Sequence, residues 1–191
     1  MKKSIALAVC SLLAILAAEV PAQARQTVDA ATAAQFRKGM AAFNRQDYAA
    51  AGLLLRQPAE RGDSRAQALL CHLYTHGRGV PQNYPEAATW CRRSAEQGNA
   101  QGQYMLGLLY NAGHGVPESY VQAYKWLNLA AAHASGPKRE FSYRIRDSVA
   151  SKMSPDQIAK AQALAVAYRP APELPGSALM IVPCVEKCLD P

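Results

Sequence analysis

The sequence predicts an all-α fold: an α-solenoid of stacked helix hairpins, closed by C-terminal capping helices and followed by an extended tail. Three observations carry that expectation. The chain matches itself at a shift of 36 residues, which marks one supersecondary unit stacked on copies of itself. Inside each unit the apolar residues recur at helical spacing, and glycine and proline interrupt them at the same offsets. Beyond the last unit a strong helix-start signal precedes a proline-punctuated end.

Residues 1–24 read as a secretory leader. Lys2 and Lys3 give a positive start, Ile5 to Ala18 form the apolar run, and Ala22-Gln23-Ala24 supplies the small residues of a cleavage site, so the mature chain is expected to begin near Arg25. The 14 residues from Ile5 to Ala18 fall short of the roughly 20 that a spanning helix needs, and no later segment comes close. A mature protein that does not span a membrane, periplasmic or secreted, is expected. A lipoprotein signal ending at Leu7-Ala8-Val9-Cys10 fits less well, because Val9 is bulky and little apolar sequence precedes it.

The solenoid is expected over residues 25–136, in units of about 30–62, 66–98 and 102–134. Gln67, Leu70, Leu73 and Tyr74 superpose on Gln103, Leu106, Leu109 and Tyr110, and Gly77, Gly79, Val80 and Pro81 on Gly113, Gly115, Val116 and Pro117. Tyr84, Ala87, Trp90 and Ala95 then fall on Tyr120, Ala123, Trp126 and Ala131. The first helix of the second unit runs through Ala66, Leu70, Leu73 and Tyr74, and Gly77-Arg78-Gly79 ends it. Its second helix starts after Asn83 as N-cap, with Pro85 in the first turn, and stops at Gly98. The first unit is divergent: Tyr48, Ala51, Ala59, Glu60 and Gly62 match Tyr84, Ala87, Ala95, Glu96 and Gly98, but the Gly-x-Gly-Val insertion is missing. Pro58 is expected to kink its second helix near the end.

Residues 137–168 are expected to add two capping helices. Ser154-Pro155-Asp156-Gln157 combines a Ser cap, proline in the first turn and Gln three residues after the Ser, and Ile158, Ala161, Leu164 and Ala165 would face the core. Over residues 169–191, Pro170, Pro172, Pro175 and Pro183 forbid a long helix and predict an extended tail.

The two full units, Leu70-Cys71-x-x-Tyr74-x-x-Gly77-x-Gly79-Val80 with Ala87-x-x-Trp90 and Leu106-Gly107-x-x-Tyr110-x-x-Gly113-x-Gly115-Val116 with Ala123-x-x-Trp126, resemble Sel1-like repeats, a tetratricopeptide-like family. The resemblance spans about residues 30–134. It implies a protein- or peptide-binding adaptor or regulatory module that does no chemistry. Some cysteine-rich Sel1-like proteins have been linked to β-lactam hydrolysis, which makes a β-lactam-binding or hydrolysing protein the alternative. Two departures stand out: Cys71 replaces the glycine kept as Gly107, and Cys91 falls where an aromatic is common.

Residues 25–191 hold 19 basic and 13 acidic side chains, a net charge of +6, without a dense Lys/Arg cluster interleaved with aromatics. Nucleic acid is therefore not the expected partner. His72 and His76 lie on one helix face, but the intervening Leu73-Tyr74-Thr75 lacks the glutamate of the zinc-protease pattern, so no metal and no cofactor is expected. His114 and His133 read as surface residues. Ser135-Gly136-Pro137-Lys138 matches a bare Ser-x-x-Lys pattern without its Ser-Asp-Asn and Lys-Thr-Gly companions, on what reads as a Gly-Pro turn away from a helix start. No catalytic residue is expected, and a nitrocefin assay separates the two functional readings. Gly77-x-Gly79 follows a helix, not a strand, so it reads as a hinge and not a phosphate loop. Trp90 and Trp126 read as buried bulk between units.

A binding groove follows from positions that differ between the full units while their neighbours agree: Ala68/Tyr104, His72/Leu108, Thr75/Asn111 and His76/Ala112. The first unit adds Phe36, Met40 and Phe43 by the same alignment. An apolar end beside a polar, histidine-bearing middle suits an extended peptide or partner helix of the cell envelope.

Loss of Cys10 with the leader leaves Cys71, Cys91, Cys184 and Cys188, an even number with three connectivities. Unit alignment favours Cys71–Cys91. Cys71 stands where Gly107 allows close helix approach, and Cys91 lies one turn beyond Ala87 on the facing side of the second helix. Cys184–Cys188 is then expected as a staple in the tail.

Overall fold

The computed structural model describes residues 22–170, and among them the chain is entirely helical. The helices are α1 (Ala22–Asn44), α2 (Tyr48–Glu60), α3 (Ser64–His76), α4 (Tyr84–Glu96), α5 (Ala100–Ala112), α6 (Tyr120–His133), α7 (Pro137–Ala150) and α8 (Pro155–Val166). Most of the leader expected at residues 1–24, and the tail pair Cys184 and Cys188, lie outside the described residues. No described helix is long and apolar enough to cross a membrane.

Local chemistry explains the boundaries. The side chains of Asp47, Asp63, Asn83, Asn99 and Ser119 each accept a backbone N–H in the first turn of α2 to α6, satisfying donors that a helix start leaves open. Gly77 and Gly113 close α3 and α5 in the left-handed conformation, at φ 64° and 67°. Ser154 and Gln157 form the reciprocal capping box of α8. Pro58 lies inside α2, fully buried, and the helix continues to Glu60.

Consecutive helices pack as hairpins, α1 with α2, α3 with α4 and α5 with α6, and the hairpins stack. The stacking contacts recur with the period of the sequence. Gln67 donates to the Ala59 carbonyl at 2.9 Å and Gln103 to that of Ala95 at 3.3 Å. Arg56 donates to the Tyr74 hydroxyl at 2.8 Å, and Arg92 to that of Tyr110 at 3.0 Å. Each bond joins one unit to the next.

The loop insertion has its explanation in that stacking. A side chain at Gly79 would collide with the Tyr48 carbonyl at the start of α2, and one at Gly115 with the Tyr84 carbonyl at the start of α4. The second glycine of Gly-x-Gly thus seats each loop on the preceding unit. Residues 45–47 join α1 to α2 directly, without a Gly-x-Gly loop.

The core is built from Leu55, Leu70, Leu73, Leu106 and Leu127 among many alanines, with Trp90 and Trp126 buried as the sequence predicts. Small residues let the helices approach, while the leucines fill the space between them. The cap departs from a simple further hairpin, since α7 and α8 each pack against α6. Ala161 and Ala165 are buried as expected, with Ile158 packed beside them. The chain then returns to the second unit: the Tyr168 hydroxyl lies 2.7 Å from the Ala95 carbonyl and 2.9 Å from that of Glu96, and its ring meets Trp126 edge-on at 5.5 Å.

Candidate binding groove

The first helices of the second and third units, α3 and α5, lie side by side and open a cleft of about 470 Å³. Six of the ten groove residues expected from sequence line it: His72, Thr75, His76, Tyr104, Leu108 and Asn111. Gln101, Met105 and His114 join them. The first unit contributes less than expected, and Ala68 of the second unit is lost to the core as well. Phe36 is only 6% exposed, capped by the Arg65 guanidinium 4.2 Å above its ring, and Ala68 is 3% exposed, so both belong to the core and not to a free groove. Met40 and Phe43 pack partly buried against that core, and Phe43 meets the His72 ring edge-on at 5.6 Å.

Polar atoms in this cleft are oriented but not all satisfied. Thr75 donates to the Cys71 carbonyl at 2.7 Å, and His76 Nδ1 lies 2.9 Å from the His72 carbonyl, which makes that nitrogen the donor and turns Nε2 away from it. The His72 and His76 rings sit 4.2 Å apart. His72 Nε2 and Asn111 Oδ1 are buried with no hydrogen-bond partner. Among the described residues only one other buried side-chain atom shares that state, Gln97 Oε1, outside this cleft. Unmade hydrogen bonds on buried atoms are costly, and two of these three atoms lie in this cleft.

Burial, then the nearby His76 and Arg78, holds the His72 pKa down to about 4 from the ordinary 6.5. His72 is therefore neutral at pH 7. As pH falls below 6.5 the unfolded chain takes up this proton first, so the contribution to stability is complete above that pH and declines toward pH 4. The melting temperature of His72→Gln is expected to depend less on pH than wild type across that window. Equal slopes would show that His72 is not the group responsible.

A second cleft of about 680 Å³ opens between α5 and α7, lined by Tyr104, His133, Lys138, Phe141 and Arg144 among others. Gln101 and Tyr104 border both clefts, so the two form one continuous groove. The Tyr104 and Phe141 rings stand 5.8 Å apart. The sequence predicts residues 137–168 as capping helices and places no groove residue on them. The available signal was Phe141, 42% exposed and off the face that Ser142 and Val149 bury.

Ser135 and Lys138 also line this second cleft. The turn expected at Gly136-Pro137 proves to be the start of α7, with Gly136 as N-cap and Lys138 in the first turn, because proline at the first helical position is pre-organised for the helix. Ser135 precedes the cap, so no helical turn ties it to Lys138. Among the described residues no three His, Cys, Asp or Glu side chains converge as a metal set.

The cysteines of the second unit do join. Cys71 and Cys91 form a disulfide with their Cα atoms 5.1 Å apart, linking α3 to α4 in a fully buried position.

Antiparallel helix hairpins stacked with their first helices lining one groove define a tetratricopeptide-like α-solenoid. More particularly, residues 64–99 and 100–135 match the Sel1 repeat, so the chain carries two Sel1 repeats. Among solved structures it is similar to a protective antigen present in uropathogenic Escherichia coli strains that displays an SLR fold, with 30% identity and a TM-score of 0.66 over 72% of this chain and 29% of that one. It is also similar to a Sel1 repeat protein from Oxalobacter formigenes, with 27% identity and a TM-score of 0.53 over 70% of this chain and 56% of that one. The chain thus spans less than two thirds of either relative. No curated protein matches it. Repeats of this family commonly bind proteins, and their fold is typically a non-catalytic scaffold.

Proposed function

We propose that this protein is an exported adaptor or regulatory module that binds an extended segment of another envelope protein along the α3–α5 cleft. The observation that carries the reading is the pair of buried, unpartnered atoms His72 Nε2 and Asn111 Oδ1 in a cleft also lined by Tyr104, Met105 and Leu108. An extended peptide presents backbone N–H and C=O groups beside alternating side chains, which matches open hydrogen-bonding atoms set among apolar ones. Each such bond contributes about 0.5–1.5 kcal/mol net when it forms. The envelope location draws support from the leader expected at residues 1–24 and from the Cys71–Cys91 disulfide, since such bonds persist in oxidising compartments.

The test is capture of partners from an envelope fraction by immobilised wild type and by His72→Ala/Tyr104→Ala, read by mass spectrometry. Capture of specific partners is expected to fall about tenfold or more in the double variant, as loss of a central contact does. Its helical melting should stay close to wild type, because groove side chains contribute little to folding. Unchanged capture would place the partner on another surface. A matching loss of stability would make these two residues part of the core.

A further inference from the structure

We propose that the α5–α7 cleft is the docking site of this chain's own segment Ala178-Leu179-Met180-Ile181-Val182. The inference is independent of the partner reading for the α3–α5 cleft. It begins where the described chain ends. Tyr168 is tied to the carbonyls of Ala95 and Glu96, and Pro170 follows so closely on Gly98 that a methyl group there would lie 3.4 Å from the proline Cβ. Ala100 and Gln101, two and three residues after Gly98, already line the cleft. The described chain therefore ends beside the end of α5 from which the cleft opens.

Reach is sufficient. Leu179 is nine residues beyond Pro170, up to about 30 Å of extended chain, whereas Ala100 to Tyr104 spans only about 6 Å along α5. Chemistry agrees on both sides. The cleft offers the exposed Phe141 ring and the Tyr104 ring, rimmed by Lys138 and Arg144 against the single acid Glu140. Residues 171–191 carry five consecutive apolar side chains at 178–182, flanked by Glu173 on one side and Glu186 and Asp190 on the other. Charge is complementary overall: residues 22–170 hold 18 basic and 10 acidic side chains, net +8, whereas residues 171–191 hold one basic and three acidic, net −2. At about 680 Å³ the cleft is within the roughly 300–1,000 Å³ range of sites that enclose small ligands, enough for a few aliphatic side chains and too small for a folded partner. Because Gln101 and Tyr104 border both clefts, the docked segment lies next to whatever occupies the α3–α5 cleft.

Hydrogen exchange on the full chain, read by mass spectrometry, tests this. Amides 178–182 are expected to exchange about tenfold or more slowly than the same sequence in a free peptide. Phe141→Glu should restore the free-peptide rate, and Phe141 is exposed enough for the fold to tolerate the change. The charge reversal Lys138→Glu/Arg144→Glu serves as a second variant and should speed exchange several-fold at low salt. Free-peptide rates in wild type would overturn the proposal, as would protection that survives both variants. Protection that appears only as protein concentration rises would assign the cleft to the segment of a second copy and overturn docking within one chain.

Discussion

Gly115→Ala is expected to lower the stability of the protein by about 2–5 kcal/mol, from two additive penalties. Gly115 sits at φ 70°, and an L-residue in that left-handed region costs roughly 1–2 kcal/mol. The new methyl group would also collide with the Tyr84 carbonyl and the Pro85 nitrogen, backbone atoms at the start of α4 that cannot swing aside as the tip of a side chain can. Overpacking of that kind costs about 1–3 kcal/mol more. At roughly 2–4 °C per kcal/mol for a domain of this size, thermal unfolding followed by circular dichroism should shift down by about 4–20 °C. Gly136→Ala supplies the control. Its φ is 56°, yet nothing lies within 4 Å of the added carbon, so only the conformational penalty applies. Equal losses at the two positions would show that the loop does not seat on the preceding hairpin.

Removing the hairpin disulfide should have the second large effect. Cys71 and Cys91 close a loop of separation 20 in a fully buried position, for which chain-entropy arguments give about 3 kcal/mol. Cys71→Ala/Cys91→Ala is therefore expected to melt about 6–12 °C below wild type, and reductant should lower wild type alone toward the variant. Peptide mapping without reduction should recover the Cys71–Cys91 link. A link from Cys71 to Cys184 or Cys188 would refute the assignment, and an unchanged melting temperature would deny the bond its stabilising role.

The repeat register explains why this bond sits where it does. Thirty-six residues on, Cys71 corresponds to Gly107 and Cys91 to Leu127. In the third unit a methyl group on Gly107 would lie only 2.7 Å from Leu127 Cγ, so one crossing point is filled from the α6 side by a leucine facing a residue without a side chain. The second unit fills the corresponding space with two small side chains and joins them. Two solutions to the same packing problem were therefore legible from unit alignment, because equivalent positions in a repeat meet equivalent neighbours.

What the sequence determined by itself is what depends on residues within a turn or two, or on repetition. Asp63, Asn83, Asn99 and Ser154 cap the helices they precede, Gly77 and Gly113 end the helices they follow, and the 36-residue period sets which faces stack. Repetition also carried six residues of the α3–α5 cleft, since positions that vary while their packed neighbours stay constant are those freed from the core. Only the tertiary structure decided the rest. Phe36 is core because Arg65, 29 residues later, covers it. His72 Nε2 and Asn111 Oδ1 are significant only together, as unsatisfied atoms of different helices that meet in one cleft. The cap has no repeat partner from which its packing could be read. That α8 returns along α6 to place Tyr168 on the carbonyls of α4, and that α7 leaves Phe141 open beside Tyr104, are long-range outcomes. They are set by which apolar faces remained uncovered once the hairpins had stacked, a property of the assembled surface that no local pattern contains.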